Sequence, residues 1–341
     1  MESHVCPLDQ QRCKPVDMAR MMNKIAVQRP YFAFETLYQT ASPEWDIWGD
    51  FVPEQPLGLE VGPLAIAEAG RHLAILGSCA VAMPQASDER IYYLAIRAVW
   101  VREALLAQMT PRLTARARVV ERTQKRARAS TELLFDGKLI GALEVEYQIL
   151  SENLFDTLFG NYREDQCPAV AVSPFRKALD LKPAFIKRHA AIARSLPGTS
   201  APSAGHFPHY PMWPVALVMY GLTQVFAALL EKRLKRPFLF KVLEAQVQAH
   251  RLVSAHEQLT FYAGLKSLSR NRKRCRVCCR VSLGLKPIAS LKVTLAIEER
   301  VGDQAQRPNT TSAATPSPTA IEQPPSDNAA RPCRYQPSCP S

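Results

Sequence analysis

Hydrophobic and polar positions follow the same order of patterns twice along the chain. In the first half, a loop rich in Pro and Gly at residues 51–62 precedes a long apolar segment at 63–81, which predicts a helix. Segments with alternating apolar positions then predict four strands, at 91–101, 113–122, 126–135 and 140–150. The tight turn at 136–138 is typical of a hairpin joining the last two.

The second half repeats this order. A loop rich in Pro and Gly at 204–213 precedes an apolar segment at 214–234, which predicts a second long helix. Four further strand patterns follow, at 238–250, 258–265, 274–283 and 288–298. The series of one long helix and several strands occurs twice, and this repeat predicts an α+β fold of two packed units. Edge-to-edge pairing of the two units would cover one exposed sheet edge of each.

The domain organisation follows from these patterns. Residues 1–30 read as an N-terminal leader with one helical stretch at 16–27, residues 31–165 as the first repeat and residues 166–302 as the second. Residues 303–341 are rich in Pro, Ser, Thr and Asn and poor in apolar side chains, which predicts a disordered tail.

The charge of the chain favours an acidic partner. The 341 residues carry a formal net charge of +12, part of it in two arginine-rich stretches at 112–128 and 270–280. Their arginines often alternate with other residues, as expected for the solvent-exposed face of a strand. An acidic carrier protein or the phosphates of coenzyme A fit this charge. We expect no nucleic acid partner, because neither zinc-finger spacing nor an RNP-type aromatic motif is present in the sequence.

The composition predicts a cytoplasmic protein with reduced thiols. The longest apolar runs are interrupted by polar or charged residues and the N-terminus has no signal-peptide pattern, so neither membrane association nor secretion is expected. The nine cysteines are odd in number and irregularly spaced, which indicates free thiols. Cys275 and Cys278 form a C-x-x-C without a second pair at zinc spacing, so we expect no metal site.

The loop before the second helix carries the most specific motif. His206-Phe207-Pro208 and Pro211-Met212-Trp213-Pro214 precede a helix that contains Gln224. This pattern resembles the signature of the hotdog-fold 3-hydroxyacyl-thioester dehydratases, whose loop H-F-P-x-x-P-x-x-P-G leads into a long central helix. The stretch from Arg251 to Phe261 resembles a downstream family segment more weakly. The resemblance spans residues 51–298 and implies a double hotdog, in which each repeat has a central helix wrapped by a curved antiparallel sheet.

The two halves depart from the family pattern in complementary ways. The family has a carboxylate fourteen positions after the histidine, but fourteen positions after His206 lies Tyr220. In the first half Glu54 holds the histidine position, and Glu68 and His72 follow at the positions of the acid and its successor. Because family dimers combine a histidine from one hotdog with a carboxylate from the other, the resemblance implies one complete site. That site pairs His206 with Glu68, and the other is a degenerate site.

The resemblance implies dehydration of a 3-hydroxyacyl thioester in fatty-acid or polyketide biosynthesis. His206 would act as base at C2, and burial should favour the acid form of Glu68 for protonating the leaving hydroxyl. Pro63 lacks the N–H that a family glycine offers to the thioester oxygen, so Leu64 would have to donate instead. We expect no cofactor, because the acyl group arrives on the phosphopantetheine of acyl carrier protein or CoA. The expected substrate-binding residues are Leu64, His72, Phe207, Pro208, Trp213, Tyr220 and Gln224.

Two other functions fit the same fold. A hotdog thioesterase or an acyltransferase would act on the same acyl thioesters, the latter through Tyr220. A non-catalytic acyl-binding role is also consistent with the missing glycine and with the degenerate second site. The sequence leaves open the acyl chain, the choice of carrier, and whether the pseudo-dimer pairs further into a homodimer.

Overall fold

A computed structural model describes residues 13–40, 46–104, 112–165, 172–197 and 203–300. The predicted tail at 303–341 and the first twelve residues of the leader lie outside this part of the chain. The described residues form thirteen strands and four α-helices. The strands are β1 (Cys13–Pro15), β2 (Phe34–Thr40), β3 (Ile47–Phe51), β4 (Ile91–Arg102), β5 (Leu113–Arg122), β6 (Arg126–Phe135), β7 (Lys138–Ser151), β8 (Leu181–Ile186), β9 (Ala190–Ser195), β10 (Phe238–Ala249), β11 (Thr260–Leu268), β12 (Arg274–Leu283) and β13 (Lys286–Glu299). The helices are α1 (Met18–Lys24), α2 (Ile66–Ala82), α3 (Glu152–Phe159) and α4 (Val215–Leu234).

All thirteen strands belong to one antiparallel sheet, in the order β1-β2-β3-β5-β6-β7-β4-β10-β13-β12-β11-β9-β8. From β2 and from β8 onward, the same series of two strands, a long helix and four strands occurs twice. The two halves of the sheet have mirrored strand orders and meet where β4 pairs with β10, with Glu244 opposite Val101. The repeated series of elements and the edge-to-edge pairing of its two copies are therefore present within one large antiparallel sheet.

The helix and strand ends differ from the sequence predictions by a few residues. Helix α2 begins at Ile66 rather than Pro63 because Ala65 has extended backbone angles and acts as the N-cap. The sequence predictions do not include strands β1, β2, β3, β8 and β9 or helix α3. Strand β8 contains Pro183 and is mostly exposed, as expected of a sheet-edge strand that a hydrophobic pattern does not reveal.

Helices α2 and α4 form the apolar layer on the sheet. By length and composition alone, α4 could cross a membrane. In the structure most of its residues are buried, including Leu222, Leu229 and Leu230, which are fully shielded from solvent. Packing in the core therefore accounts for its apolar character.

The close approach of α2 to the sheet depends on a glycine. A Cβ atom on Gly77 would lie 2.4 Å from Oη of Tyr147, which donates a 2.6 Å hydrogen bond to the carbonyl of Ala74. We therefore expect Gly77→Ala to lower the free energy of unfolding by about 1–3 kcal/mol, as overpacking does. Gly70→Ala is the matched control on the same helix, because no atom lies within 4 Å of its added Cβ.

Chemical denaturation of the three proteins measures this difference. Gly70→Ala should be as stable as the native protein or more stable, since alanine is favoured over glycine in a helix by about 1 kcal/mol. Equal stability of Gly77→Ala and Gly70→Ala would contradict the packing described for Gly77.

Candidate active site

A cavity of about 600 Å³ is enclosed by α2, α4 and the central strands β4, β7, β10 and β13. Both repeats contribute to its mostly apolar walls. Among the residues that the helices present to it are several small ones, Ala67, Gly70 and Ala74 from α2 and Ala216 from α4. A cavity of this size and character suits an extended apolar group.

The cavity opens to the surface beside charged and polar side chains. Asn161, His250, Arg251 and Lys286 line it and are exposed to solvent. Two of them are permanent cations near neutral pH. The mouth of the cavity therefore favours an anionic group next to an apolar one.

The loop that carries His206 is tightly turned and held by the leader. The backbone N–H of His206 donates to the carbonyl of Ser203 at 2.8 Å, and Phe207 has a positive φ of 55°. The N–H of Gln28, in the leader, donates to the carbonyl of Gly205 at 2.7 Å, and Val27 forms a β-bridge with His206. These contacts fix the backbone on both sides of the imidazole.

The His206 ring lines the cavity in its neutral form. It meets the ring of Tyr31 edge to face, with 4.9 Å between centroids, and lies 4.0 Å from the ring of Phe207. Burial lowers the pKa of His206 to about 3, and an interaction with the backbone of Met212 acts weakly the other way. Its Nδ1 is buried and has no hydrogen-bond partner among the described residues.

Glu68 lies on α2 but turns away from this cavity. Its Oε1 accepts a hydrogen bond from the N–H of Glu54 at 2.8 Å, and its Oε2 accepts one from the N–H of Gln55 at 3.0 Å. Burial alone would raise its pKa, but hydrogen bonding by His72, the charge of Arg71 and the Glu54 N–H outweigh burial and hold the pKa below its usual range. The expected acid form is therefore corrected: Glu68 is a carboxylate bound to the loop of its own repeat.

Arg71 occupies the face of α2 that the cavity touches. Its Nη2 lies 2.7 Å from Oε1 of Glu54 and 3.4 Å from Oε1 of Glu68, and its Cζ lies 4.5 Å from the centroid of the Phe175 ring. The side chain is 2% exposed, and it lines the cavity that Glu68 does not line. Sequence patterning treated this arginine as an interruption of an apolar run and gave it no role.

His72 and Tyr220, two of the expected substrate-binding residues, pack inside the protein and do not face the cavity. His72 is fully buried and stacked on Phe51 at 4.0 Å, with its Nε2 3.4 Å from Oε1 of Glu68; burial lowers its pKa to about 4. Tyr220 donates from its hydroxyl to the carbonyl of Pro56 at 3.1 Å. Both side chains lie outside the cavity lining, as far as the described residues show.

Of the remaining expected substrate-binding residues, one lines the cavity and the others do not. Phe207 lines the cavity beside His206. Gln224 donates from Nε2 to the carbonyl of Leu179 at 3.2 Å, and Trp213 donates from Nε1 to the carbonyl of Glu257 at 3.2 Å. Both hold loops against α4. Leu64 and Pro208 are buried in the structure and do not line the cavity.

The first residues of both long helices line the cavity: Ile66 and Ala67 of α2, and Val215 and Ala216 of α4. The first N–H of α2, from Ile66, donates to Oε1 of Glu60 at 3.1 Å, so this N–H is already engaged. The start of α4 has no side-chain cap hydrogen bond among the described residues. Backbone N–H groups in a first helical turn lack partners within the helix, and the helix dipole favours negative charge there. The oxyanion role expected of Leu64 therefore fits the start of α4 better.

Glu60 makes the stability of the protein depend on pH. Its side chain is buried, and burial raises its pKa to about 8 despite the charge of Arg102 and the hydrogen bond from Ile66. The folded state therefore binds a proton that the unfolded state loses above its ordinary pKa near 4.5. The contribution of this group to stability is complete at low pH and is lost as the pH rises from about 4.5 to about 8.

Glu60→Gln should remove this dependence while keeping an oxygen for the N–H of Ile66. We expect the variant to gain stability relative to the native protein between pH 5 and pH 8, by a few kcal/mol at most. Denaturation at a series of pH values measures this gain. A difference that stays constant or shrinks across this range would show that Glu60 does not titrate as described.

Comparisons with known proteins give structural neighbours but no sequence relative. No protein-family model matches the chain, and no curated protein matches it. The solved structures it is similar to include the acyl-CoA thioesterase II TesB2 from Mycobacterium marinum, with 10% identity, 76% of this chain and 94% of that chain covered, and a TM-score of 0.47.

Two other solved structures are similar at the same level. A hot dog fold protein of unknown function from Alicyclobacillus acidocaldarius has 12% identity, covers 84% of this chain and all of its own, and gives a TM-score of 0.48. The 12:0-ACP thioesterase from Umbellularia californica has 10% identity, covers 74% of this chain and 94% of its own, and gives 0.46. At these identities, and with TM-scores below 0.5, none of these similarities identifies the reaction.

Proposed function

We propose that this protein is a double-hotdog acyl-thioester hydrolase whose substrate is carried on CoA or on acyl carrier protein. The observation that carries the proposal is the apolar cavity of about 600 Å³ that the two repeats share, with a neutral His206 and the start of α4 on its wall. The twofold series of two strands, a long helix and four strands supports the fold assignment.

The cavity suits the two chemically different parts of an acyl thioester. An acyl chain would occupy the apolar space, where each buried methylene contributes about 0.8 kcal/mol. The phosphates of the carrier would lie at the mouth, near Arg251 and Lys286, which are exposed and line the opening. The thioester would then lie between these two regions.

Hydrolysis needs one base and one group that stabilises negative charge. In the proposed reaction, the neutral imidazole of His206 takes a proton from water while the water oxygen bonds to the thioester carbonyl carbon. The carbonyl oxygen becomes negative and accepts hydrogen bonds from the first N–H groups of α4, at Val215 and Ala216. When the tetrahedral intermediate collapses, the carbon–sulfur bond breaks and the imidazolium returns its proton to the thiolate sulfur. The products are a carboxylic acid and the free thiol of the carrier.

Dehydration is the second candidate, favoured by the H-F-P loop that carries His206. It needs a second proton donor at the C3 hydroxyl. Glu68 was expected to be that donor, but its carboxylate accepts N–H groups from Glu54 and Gln55 and lies outside the cavity lining. Hydrolysis makes no use of Glu68, so the geometry supports hydrolysis better.

The test offers the native protein straight-chain acyl-CoAs of increasing length and a 3-hydroxyacyl-CoA of the preferred length. A thiol-reactive dye reports hydrolysis, and ultraviolet absorbance of the conjugated enoyl thioester reports dehydration. We expect thiol release that increases with chain length until the cavity is filled, and no enoyl product. Enoyl formation without thiol release would establish dehydration instead, and saturable binding without either product would leave an acyl-binding protein.

A further inference from the structure

Tyr31 is a polar residue of the cavity wall that precedes the first strand of the repeated series. It follows α1 in the segment before β2, lines the cavity and is 6% exposed. Its hydroxyl makes no hydrogen bond within the described parts of the chain. Buried tyrosine hydroxyls usually find a partner. A hydroxyl of this kind on a cavity wall is thus available to a bound molecule.

The Tyr31 ring is fixed by neighbours on several sides. Its centroid lies 4.9 Å from that of His206 and 5.6 Å from that of Phe175, and the Cζ atom of Arg71 lies 5.8 Å from it. Burial raises the pKa of Tyr31 far above its ordinary value, although the Arg71 charge opposes this. The phenol therefore stays protonated near neutral pH and can always donate.

Substrate chemistry makes a carbonyl oxygen the natural acceptor. A thioester presents one carbonyl oxygen to a mostly apolar space, and burying such an oxygen without a donor costs free energy. Three other hydroxyls on the wall donate elsewhere: Ser78 to the carbonyl of Ile75 at 2.7 Å, Thr223 to that of Met219 at 3.1 Å and Tyr147 to that of Ala74 at 2.6 Å. Tyr31 is adjacent to the proposed base, where the reacting carbonyl has to lie.

We propose that the Tyr31 hydroxyl donates a hydrogen bond to the carbonyl oxygen of the bound thioester and strengthens it as that oxygen becomes negative. This inference rests on the proposed function and adds a catalytic residue supplied by the segment between the leader helix and the first strand of the repeat. Tyr31 and the first N–H groups of α4 would together hold the oxygen, while His206 activates the water.

The experiment compares Tyr31→Phe with the native protein and with Tyr92→Phe. Tyr92 is a buried aromatic residue, stacked on Phe155 at 3.7 Å, and it lies outside the cavity lining among the described residues. Two CoA analogues with the preferred acyl length serve as probes. In the ketone, a methylene replaces the thioester sulfur and the carbonyl is kept; in the thioether, the carbonyl is replaced by a methylene.

The expected result is selective. Tyr31→Phe should bind the ketone at least about fivefold more weakly and the thioether unchanged, and should lower kcat for hydrolysis about 10²- to 10³-fold, far more than it raises KM. Tyr92→Phe should match the native protein in all three measurements. Equal weakening of both analogues, or no weakening of either, would overturn the role of Tyr31 while leaving hydrolysis in place. If the native protein binds neither analogue, the proposed function fails and the role of Tyr31 fails with it.

Discussion

Replacing His206 with alanine is expected to lower kcat for thioester hydrolysis by about 10²- to 10⁴-fold, the range that one general base supplies. The imidazole is the proposed acceptor of the water proton, and its neighbours cannot take over this task. Tyr31 stays protonated because burial raises its pKa, and the carboxylate of Glu68 is bound to the 54–55 backbone. Acyl binding should persist, since the walls that hold the chain are unchanged.

His209→Ala is the matched control, because this histidine lies three positions further along the same loop. It is exposed, and its Nδ1 lies 3.2 Å from the carbonyl of Glu164. Rates of thiol release, together with the affinity for the thioether analogue, separate loss of chemistry from loss of binding. A His206→Ala enzyme with native kcat would remove the imidazole from the mechanism.

The same prediction includes a pH profile. Because burial lowers the pKa of His206 to about 3, the ring stays neutral throughout the range in which an ordinary histidine titrates. We expect kcat/KM to show no loss of activity between pH 8 and pH 5 that follows a group with a pKa near 6.5. A clear inflection there, absent in His206→Ala, would show that the imidazole is more solvated than its place on the cavity wall indicates.

Gly205→Ala should have the largest effect on the folded state, lowering the free energy of unfolding by about 2–5 kcal/mol. Gly205 has a φ of +80°, which an L side chain rarely adopts, and an added Cβ would lie 2.3 Å from the carbonyl oxygen of Gln28. The obstacle is backbone, so no side-chain rotation relieves it. The loop and the leader would have to separate, which would also displace His206.

Gly58→Ala separates the two causes. Gly58 also has a positive φ, of +60°, but nothing lies within 4 Å of an added Cβ, so this variant carries the backbone strain without the collision. Its expected cost is about 1 kcal/mol. Chemical denaturation of both variants measures the difference, and hydrolysis should fall for Gly205→Ala alone. Equal stabilities would mean that the leader does not press against the His206 loop.

Long periodic segments explain what could be predicted of the fold. The apolar runs that became α2 and α4, and the alternating segments that became β5, β6 and β12, have enough residues for their period to be unambiguous. Strand β3 has five residues and β8 has six, with Pro183 in the latter. Segments this short do not show a period, and their pairing with β5 and β9 is decided by the rest of the sheet.

The candidate site could be predicted from the sequence only in part. The motif placed His206 beside a central helix, and the structure keeps it on the cavity wall. The fourteen-residue spacing also placed Glu68 on a central helix. However, the side chain turns to the N–H groups of Glu54 and Gln55, in the loop that precedes its own helix. The spacing suggested that Glu68 faces His206 of the other repeat, but the carboxylate binds the loop of its own repeat. A residue pattern does not show in which direction backbone N–H groups point, so this binding could not be predicted.

Tyr31 and Arg71 could not have been found from either repeat. Tyr31 lies before the first repeated strand, and its contact with His206 joins parts of the chain that are far apart in sequence. The aromatic pair directly after Pro30 was the available signal, and nothing in its spacing points to a cavity. Arg71 looked like one charge in an apolar run, and its burial against Phe175 appears only in three dimensions.

The attachment of the leader to the His206 loop bears on how the two halves of this chain differ. In the sheet they are near twins, yet the N-terminal extension at Val27 and Gln28 is joined to one of them, through His206 and Gly205. A duplicated scaffold can therefore acquire two unlike halves without altering its shared strands, because an appended stretch of chain covers a loop of one copy. A chain shortened to the two repeats would keep the sheet and its helix layer but would lose the leader segment that covers the His206 loop.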